Sequence, residues 1–256
     1  MVSIVRSSRK GVSPSNRSLQ RGMEILRAFR SGTGFLGNGE LAERTGLSRA
    51  TVSRLTGTLA EGGFLEYDPG MRAYRLGVPL LSLARAMYNG SDLLQKALPL
   101  MREASRKHNA NVGLACADRD DMVYLESVRI NRKQALRQVV VGQRIPIELT
   151  SLGRAWLAAS PADERDAWME RLRNRRAEEW PRLQAEIGAA IANVHAHGYC
   201  VASWQPGVVA LAAPIVIANR PLHALNMSVT NRSDIERVAH ELEQPLLQLA
   251  RDITDA

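Results

Sequence analysis

A short segment near residue 50 combines two arginines with small polar side chains. The sequence SRATVSRL, residues 48–55, predicts a helix that turns Val52 and Leu55 inward. Arginine, serine and threonine donate hydrogen bonds to base edges or phosphates, and alanine or a threonine methyl can contact a thymine methyl. We therefore predict that this helix enters the major groove of DNA. The side chains expected to face the DNA are Ser48, Arg49, Ala50, Thr51, Ser53 and Arg54.

Two predicted helices joined by a very short turn must position that face. They cover residues 39–45 and 48–62. Gly46 tolerates the positive φ that a tight turn between helices requires, and the small Ala42 allows the helices to approach closely. Ser48 is a favourable N-cap for the second helix. The spacing predicts a helix-turn-helix; an ordinary helical hairpin without a DNA role is the alternative.

A β-hairpin is predicted directly after these helices. The sequence FLEYDPGMRAYRL, residues 64–76, has two short strand-like runs around a Pro-Gly turn. We expect Arg72 and Arg75 on the return strand, with Arg72 near the tip, where a wing contacts a phosphate backbone or a minor groove. A surface hairpin with incidental arginines is the alternative interpretation.

Positive charge is concentrated in the N-terminal third of the chain. The formal net charge is +8, and residues 1–75 contain 12 Lys and Arg against 6 Asp and Glu. A DNA backbone attracts such a segment by counterion release, although a solvated basic surface has the same composition. Arg17, in a helix predicted over residues 15–30, is a further expected DNA contact. Residues 1–14 are polar and basic without periodicity, and we predict a flexible basic arm.

The hydrophobic pattern predicts two domains and a connector. Residues 15–77 are assigned to the winged helix-turn-helix, 78–91 to a linker helix and 92–256 to a second domain of mixed helices and strands. In that domain strands cluster at both ends with helices between them, which is typical of the α+β class. The strands are predicted at 111–117, 122–128, 135–141, 199–203, 208–216 and 222–230, and the helices at 92–108, in three stretches within 151–197, and from Ser233 onward.

The composition argues against several other classes of protein. The two cysteines, Cys116 and Cys200, match no metal or redox spacing and fit a reducing cytoplasm. The longest apolar stretch, residues 208–217, is too short to span a bilayer. We expect a cytoplasmic protein without a membrane segment, cofactor, metal or catalytic activity.

Two other functions remain as alternatives. An enzyme in residues 93–256 would need a nucleophile and a base in a recognisable arrangement, and the sequence shows no such motif. A winged helix that binds only proteins would not need the basic excess of the N-terminal third.

The chain resembles the isocitrate-lyase-regulator (IclR) family of bacterial transcription factors over nearly everything after residue 15. The segments that carry the resemblance are NRSLQRGMEILRAF, ELAERTGLSRATVSRLTGTLAEGGFLEYDPGMRAYRLG, VGQRIPIELTSLGRAWLA, HGYCVASWQPGVVALAAPI and HALNMSVT. The resemblance implies a winged helix-turn-helix, a linker helix and a GAF-like effector domain. It also implies a homodimer or tetramer that binds a palindromic operator in double-stranded DNA. The family contains both repressors and activators.

The resemblance also implies an effector pocket after the Gly-x-x-apolar-Pro motif at residues 142–146. Ser151, at a predicted helix N-terminus, presents a backbone N–H that suits a carboxylate. Asn226 and Ser228 are two residues apart on one strand, so they share a face; hydrogen bonding to ordered water is the alternative role for this pair. The residues expected to line the pocket are Ser151, Leu152, Ser203, Val208, Ala210, Asn226 and Ser228.

Two features depart from the family pattern. Ser203-Trp204-Gln205 stands where family members often have an acidic residue, and Asn226 stands where serine is common. An indole beside the expected pocket is compatible with an aromatic or larger organic acid. The expected effector is therefore a small carboxylic or aromatic acid.

Overall fold

The computed structural model describes residues 16–129, 141–230 and 234–256. The chain forms two compact units that are divided in sequence between Ser91 and Asp92. The first is a winged helix-turn-helix and the second is a GAF-like unit of mixed helices and strands, so the α+β class predicted from the sequence is confirmed. The predicted arm at 1–14 and nearly all of the predicted strand at 135–141 lie outside the described residues.

The N-terminal unit contains four helices and a two-stranded hairpin in its described part. Ile25, Leu36, Leu41, Val52 and Leu65 form its fully buried core. The elements are α1 (Arg17–Ala28), α2 (Asn38–Thr45), α3 (Arg49–Glu61), β1 (Leu65–Asp68), β2 (Ala73–Leu76) and α4 (Pro79–Asn89).

Local sequence explains the tight connection between α2 and α3. Gly46 ends α2 with a φ of 68°, which is the left-handed conformation that glycine adopts without strain. Ser48 caps α3 by accepting a hydrogen bond from the Thr51 N–H. The fully buried Thr56 hydroxyl donates to the Val52 carbonyl at 2.9 Å, and its oxygen lies 3.3 Å from Asn38 Oδ1, at the start of α2.

The hairpin differs from the sequence prediction at its tip. β1 and β2 pair antiparallel around a four-residue turn, so Arg72 lies in the turn and not on the return strand. The Asp68 carboxylate accepts from the Met71 N–H at 2.9 Å, and Arg72 adopts a φ of 50°. Tyr74 also bridges to Leu36, a pairing that the sequence did not indicate. The Asp68 carboxylate thus bonds within the turn.

The C-terminal unit is built on one antiparallel sheet. The elements are α5 (Asp92–His108), β3 (Asn111–Asp118), β4 (Asp121–Val128), β5 (Arg144–Pro146), α6 (Ser151–Ala159), α7 (Ala162–Arg175), α8 (Trp180–His197), β6 (Cys200–Ala202), β7 (Val208–Ile215), β8 (His223–Thr230) and α9 (Ile235–Asp255).

The strand order in the sheet is β5-β4-β3-β8-β7-β6. Helix α6 packs on one face of the sheet, α8 packs against α6, and a buried hydrophobic core cluster that includes Leu152, Ile187 and Ala212 joins these elements. Helices α5 and α9 also contact the sheet but contribute no residue to this core cluster.

One strand of this unit was not predicted. The three-residue strand β5 is too short to show alternation and was missed. Helix α9 begins at Ile235, and its N-cap is Asp234, whose carboxylate accepts from the Arg237 N–H. The predicted start at Ser233 lies outside the described residues. None of the described helices is long and apolar enough to cross a membrane.

Candidate nucleic-acid interface and effector site

Helix α3 presents a continuous exposed face. Arg49, Ala50, Ser53 and Arg54 are exposed, whereas Val52 is fully buried in the core. The Ser48 hydroxyl is also exposed, but it is engaged with Thr51: their hydroxyl oxygens lie 2.9 Å apart, and Thr51 is half-buried. The predicted contact residues thus lie together at the N-terminal half of one helix, the part that reads bases in helix-turn-helix proteins.

The arginines of this surface form no ion pair with a described residue. Glu40 accepts from the Gly37 N–H at 3.1 Å, and Glu66 pairs with Arg75 at 2.6 Å. Glu40 and Glu66 are therefore engaged within the unit, whereas no described residue pairs with the guanidinium groups of Arg49 and Arg54. A net positive surface of this kind attracts phosphate.

The two remaining arginines of the predicted interface lie on other elements. Arg72 is exposed at the hairpin turn, and Arg17 is exposed in the first turn of α1. The Asn16 side chain caps that helix by accepting from the N–H groups of Ser18 and Leu19. Arg75, by contrast, is paired with Glu66, whose carboxylate offsets its charge.

In the C-terminal unit, five of the seven predicted pocket residues are buried where α6 meets the sheet. Ser151 and Leu152 begin α6, and Ala210 pairs with Ser228 across β7 and β8. Asn226 pairs with Ala212 on β7, which belongs to the same core cluster as Leu152. Because strand residues alternate between faces, Ala210, Asn226 and Ser228 share the face that α6 covers.

Ser203 and Val208 lie apart from this buried group, at the ends of β6 and β7. Ser203 is exposed, and its hydroxyl donates to the Val208 carbonyl at 2.7 Å, which closes the connection between the strands. The Ser203 hydroxyl hydrogen is thus engaged, although the hydroxyl oxygen can still accept a hydrogen bond. Trp204, next to it, is 39% exposed.

The start of α6 is held by buried polar contacts. Thr150 caps the helix by accepting from the Gly153 N–H, and Arg154 donates to the Glu148 carbonyl at 3.1 Å. Arg154 also pairs with Glu186 of α8 at 2.6 Å. The backbone N–H groups of the first helical turn are therefore fixed in direction, and they have no acceptor within the helix.

A polar group beside Asn226 was missed by sequence reasoning. The Tyr124 side chain on β4 is hydrogen-bonded to both Asn226 and Arg129. Burial raises the pKa of Tyr124, and the Arg129 charge and the two hydrogen bonds act in the opposite direction. These three residues come together only through the strand order β4-β3-β8, so no local motif announces them.

Other candidate sites carry no chemistry of their own. The Cys200 thiol is buried and donates to the Ser151 carbonyl at 3.4 Å, and burial raises its pKa to about 12. It is therefore a core residue and not a reactive thiol. The described residues contain no cluster of metal-ligating side chains. A groove of about 380 Å³ between α5 and α9, lined in part by Glu103, Lys107 and Gln248, does not coincide with the predicted pocket.

Comparisons with known proteins agree with this architecture. A family model described as the IclR helix-turn-helix domain matches residues 18–69, and one described as the bacterial transcriptional regulator IclR C-terminal domain matches residues 86–255. The HTH-type transcriptional regulator TsaQ1/TsaQ2 of Comamonas testosteroni is 32% identical over 244 residues, which are 92% of this chain and 86% of that protein.

Solved structures show the same fold over nearly the whole chain. An IclR family transcriptional regulator from Brucella abortus has a TM-score of 0.86 and 33% identity, covering 96% of this chain and 95% of its own. An IclR homologue from Microbacterium hydrocarbonoxydans, solved in complex with 4-hydroxybenzoate, has a TM-score of 0.68 and 21% identity. It covers 93% of this chain and 100% of its own, and at this identity it bears on the fold alone.

Proposed function

The chain belongs to the IclR family of bacterial transcriptional regulators, and from this we propose that α3 reads its operator and that an organic acid bound beside α6 changes operator affinity. Transcriptional regulation through the N-terminal helix-turn-helix is the function of the family. We also propose that the protein acts in the cytoplasm and has no catalytic role.

The exposed face of α3 carries the DNA-binding proposal. Arg49 and Arg54 have the reach and the paired donors to contact guanine or phosphate, while Ala50 and Ser53 allow the helix to approach the base edges closely. Arg72 at the hairpin turn and Arg17 in α1 would contact the flanking backbone. Phosphate contacts fix the position of the protein on DNA, whereas base contacts specify the sequence. Loss of a phosphate contact should therefore weaken binding to any DNA, and loss of a base contact should weaken binding to the operator in particular.

A gel-shift assay on the DNA upstream of the protein's own gene tests this proposal. With excess nonspecific competitor, the wild-type protein should give a discrete shifted band. Arg49→Ala and Arg54→Ala should each abolish it while the circular dichroism spectrum stays unchanged. Arg237→Ala is the control, because Arg237 is exposed on α9 and paired with Glu241. Normal operator affinity in both α3 variants would refute the assignment of the recognition helix.

A homodimer on a palindromic operator is the second part of the proposal. Helix α4 buries none of its residues within the chain, and it exposes Leu81, Leu83 and Met87 by more than half of their surface. Apolar side chains concentrated on one helix mark a protein contact surface. A two-fold dimer through α4 would present two copies of α3 to two half-sites.

The third part concerns the effector. Buried polar side chains on the α6 face, including Ser151, Asn226 and Ser228, supply the few oriented hydrogen bonds that a small organic acid requires. Binding would change operator affinity only if the acid favours one dimer geometry over the other. The expected observation is that an acid which binds the C-terminal unit shifts the half-saturation point of the gel shift.

A further inference from the structure

The side chain of Arg129 lies at one end of the polar group described above. Tyr124 and Asn226 are each 5% exposed, and the Tyr124 side chain is hydrogen-bonded to both Asn226 and Arg129. Arg129 Nε also donates to Ser127 Oγ at 3.1 Å. The guanidinium is therefore held by neutral groups at the edge of a buried site.

Gly113 of β3 allows this arrangement. It pairs with Asn226 on β8, and a Cβ at this position would meet the Tyr124 ring and lie 2.6 Å from Asn226 Oδ1. Any other residue would push the ring and the amide off the strand. Because Gly113 has no side chain, the Tyr124 ring and the Asn226 amide can both lie close to the backbone of β3 at this position.

Arg129 has no carboxylate partner in the described part of the chain. It forms no ion pair with a described residue, and the nearest acid in sequence, Glu126, accepts from the Ser127 N–H instead. The segments outside the described residues, 1–15, 130–140 and 231–233, contain no Asp or Glu. Burial lowers the pKa of the Arg129 guanidinium, because a desolvated cation is unfavourable unless an anion compensates it.

We propose that Arg129, with Tyr124 and Asn226, binds the carboxylate of the effector. The planar guanidinium donates two parallel hydrogen bonds to a carboxylate, and the tyrosine hydroxyl and asparagine amide can donate the others. Ala212, which pairs with Asn226, and Ala210 place only small apolar side chains on this face of β7. This inference rests on the proposed effector site, and it defines the ligand class as a monocarboxylate.

Isothermal titration calorimetry on the full chain tests the proposal with acetate, butyrate, benzoate and 4-hydroxybenzoate, each beside its primary amide at constant ionic strength. At least one acid should bind the wild-type protein, and its amide should bind at least 100-fold more weakly. Arg129→Gln should weaken the acid about 30-fold or more. Tyr124→Phe, which keeps the ring, should weaken it severalfold. Arg119→Gln, at the exposed β3–β4 turn, should have no effect.

Three results would overturn the proposal: no acid of the series binds, an amide binds as tightly as its acid, or Arg129→Gln binds as tightly as the wild type. DNA affinity measured without acid distinguishes a failure of the Arg129 proposal from a failure of the regulator proposal. Arg129→Gln should bind DNA like the wild type, since Arg129 lies in the other unit. If the wild-type protein bound no DNA, the regulator proposal would fail and the acid titration would still decide the role of Arg129.

Discussion

At the scale of residues, the structure separates the exposed side chains proposed to contact DNA from those that are buried. Arg49 and Arg54 could be assigned from sequence because helical spacing fixes which positions face away from Val52. Tyr124 and Arg129 could not, because Asn226 is about a hundred residues away along the chain and meets them only through the sheet. The sequence therefore predicts which single residues are exposed on a helix, but not which residues meet across the sheet.

A buried histidine gives the stability a pH dependence. His223 on β8 is 7% exposed, and burial lowers its pKa from the ordinary value near 6.5, as does the nearby Arg220 charge. Just below that pH the histidine is protonated in the unfolded chain but still neutral in the folded chain. The free energy of unfolding that His223 contributes is therefore present above pH 6.5 and is lost as the pH falls. The effect of one proton is limited to about 1.4 kcal/mol per pH unit.

Urea unfolding followed by tryptophan fluorescence between pH 7 and pH 5 measures this effect. The free energy of unfolding should fall less steeply with decreasing pH in His223→Gln than in the wild type. His240→Gln, at an exposed position of α9, is the control and should follow the wild type. Identical slopes for His223→Gln and the wild type would contradict the assignment.

At the scale of elements, caps and turn residues made most boundaries predictable to within one or two residues. Gly46 and Ser48 define the turn between α2 and α3 because each satisfies a specific backbone requirement. β5 escaped prediction because three residues cannot show a period. Arg72 was placed on a strand because the sequence does not reveal that the Asp68 carboxylate extends the turn.

The N-cap of α3 offers a test at this scale. Ser48→Ala removes the acceptor for the Thr51 N–H and should lower the free energy of unfolding by about 1 kcal/mol. Ser53→Ala is a matched control, because Ser53 is exposed within the same helix and alanine is a better helix former. Thermal denaturation of both variants should show a lower midpoint for Ser48→Ala alone. Equal midpoints would show that the cap is not needed.

At the scale of the whole molecule, the order of elements and the fold class followed from the sequence, because helical and strand periods differ clearly in a chain of this composition. Strand order did not follow, since nothing local specifies that β8 lies between β3 and β7. The proposed association of two copies likewise depends on which side chains the fold leaves at the surface. The apolar side chains of α4 are visible in the sequence, but their exposure is known only from the fold.

Sedimentation velocity tests whether α4 forms the dimer contact. Leu83 and Met87 are one helical turn apart and are 56% and 55% exposed. Replacing both with glutamate should convert the proposed dimer to a monomer at micromolar concentration, because two charges per copy would be buried in the interface. Val216→Glu is the control, since Val216 is 60% exposed in the other unit. A double variant that sediments like the wild type would exclude this surface.

Helix α3 is proposed to read the DNA sequence while the hairpin contacts the backbone. Fluorescence anisotropy with the operator and with unrelated DNA of equal length, at several salt concentrations, measures it directly. Arg49→Ala should lower the ratio of specific to nonspecific affinity at least tenfold. Arg72→Ala should weaken both affinities equally and reduce the salt dependence. If Arg49→Ala leaves the ratio unchanged, α3 is not the recognition helix.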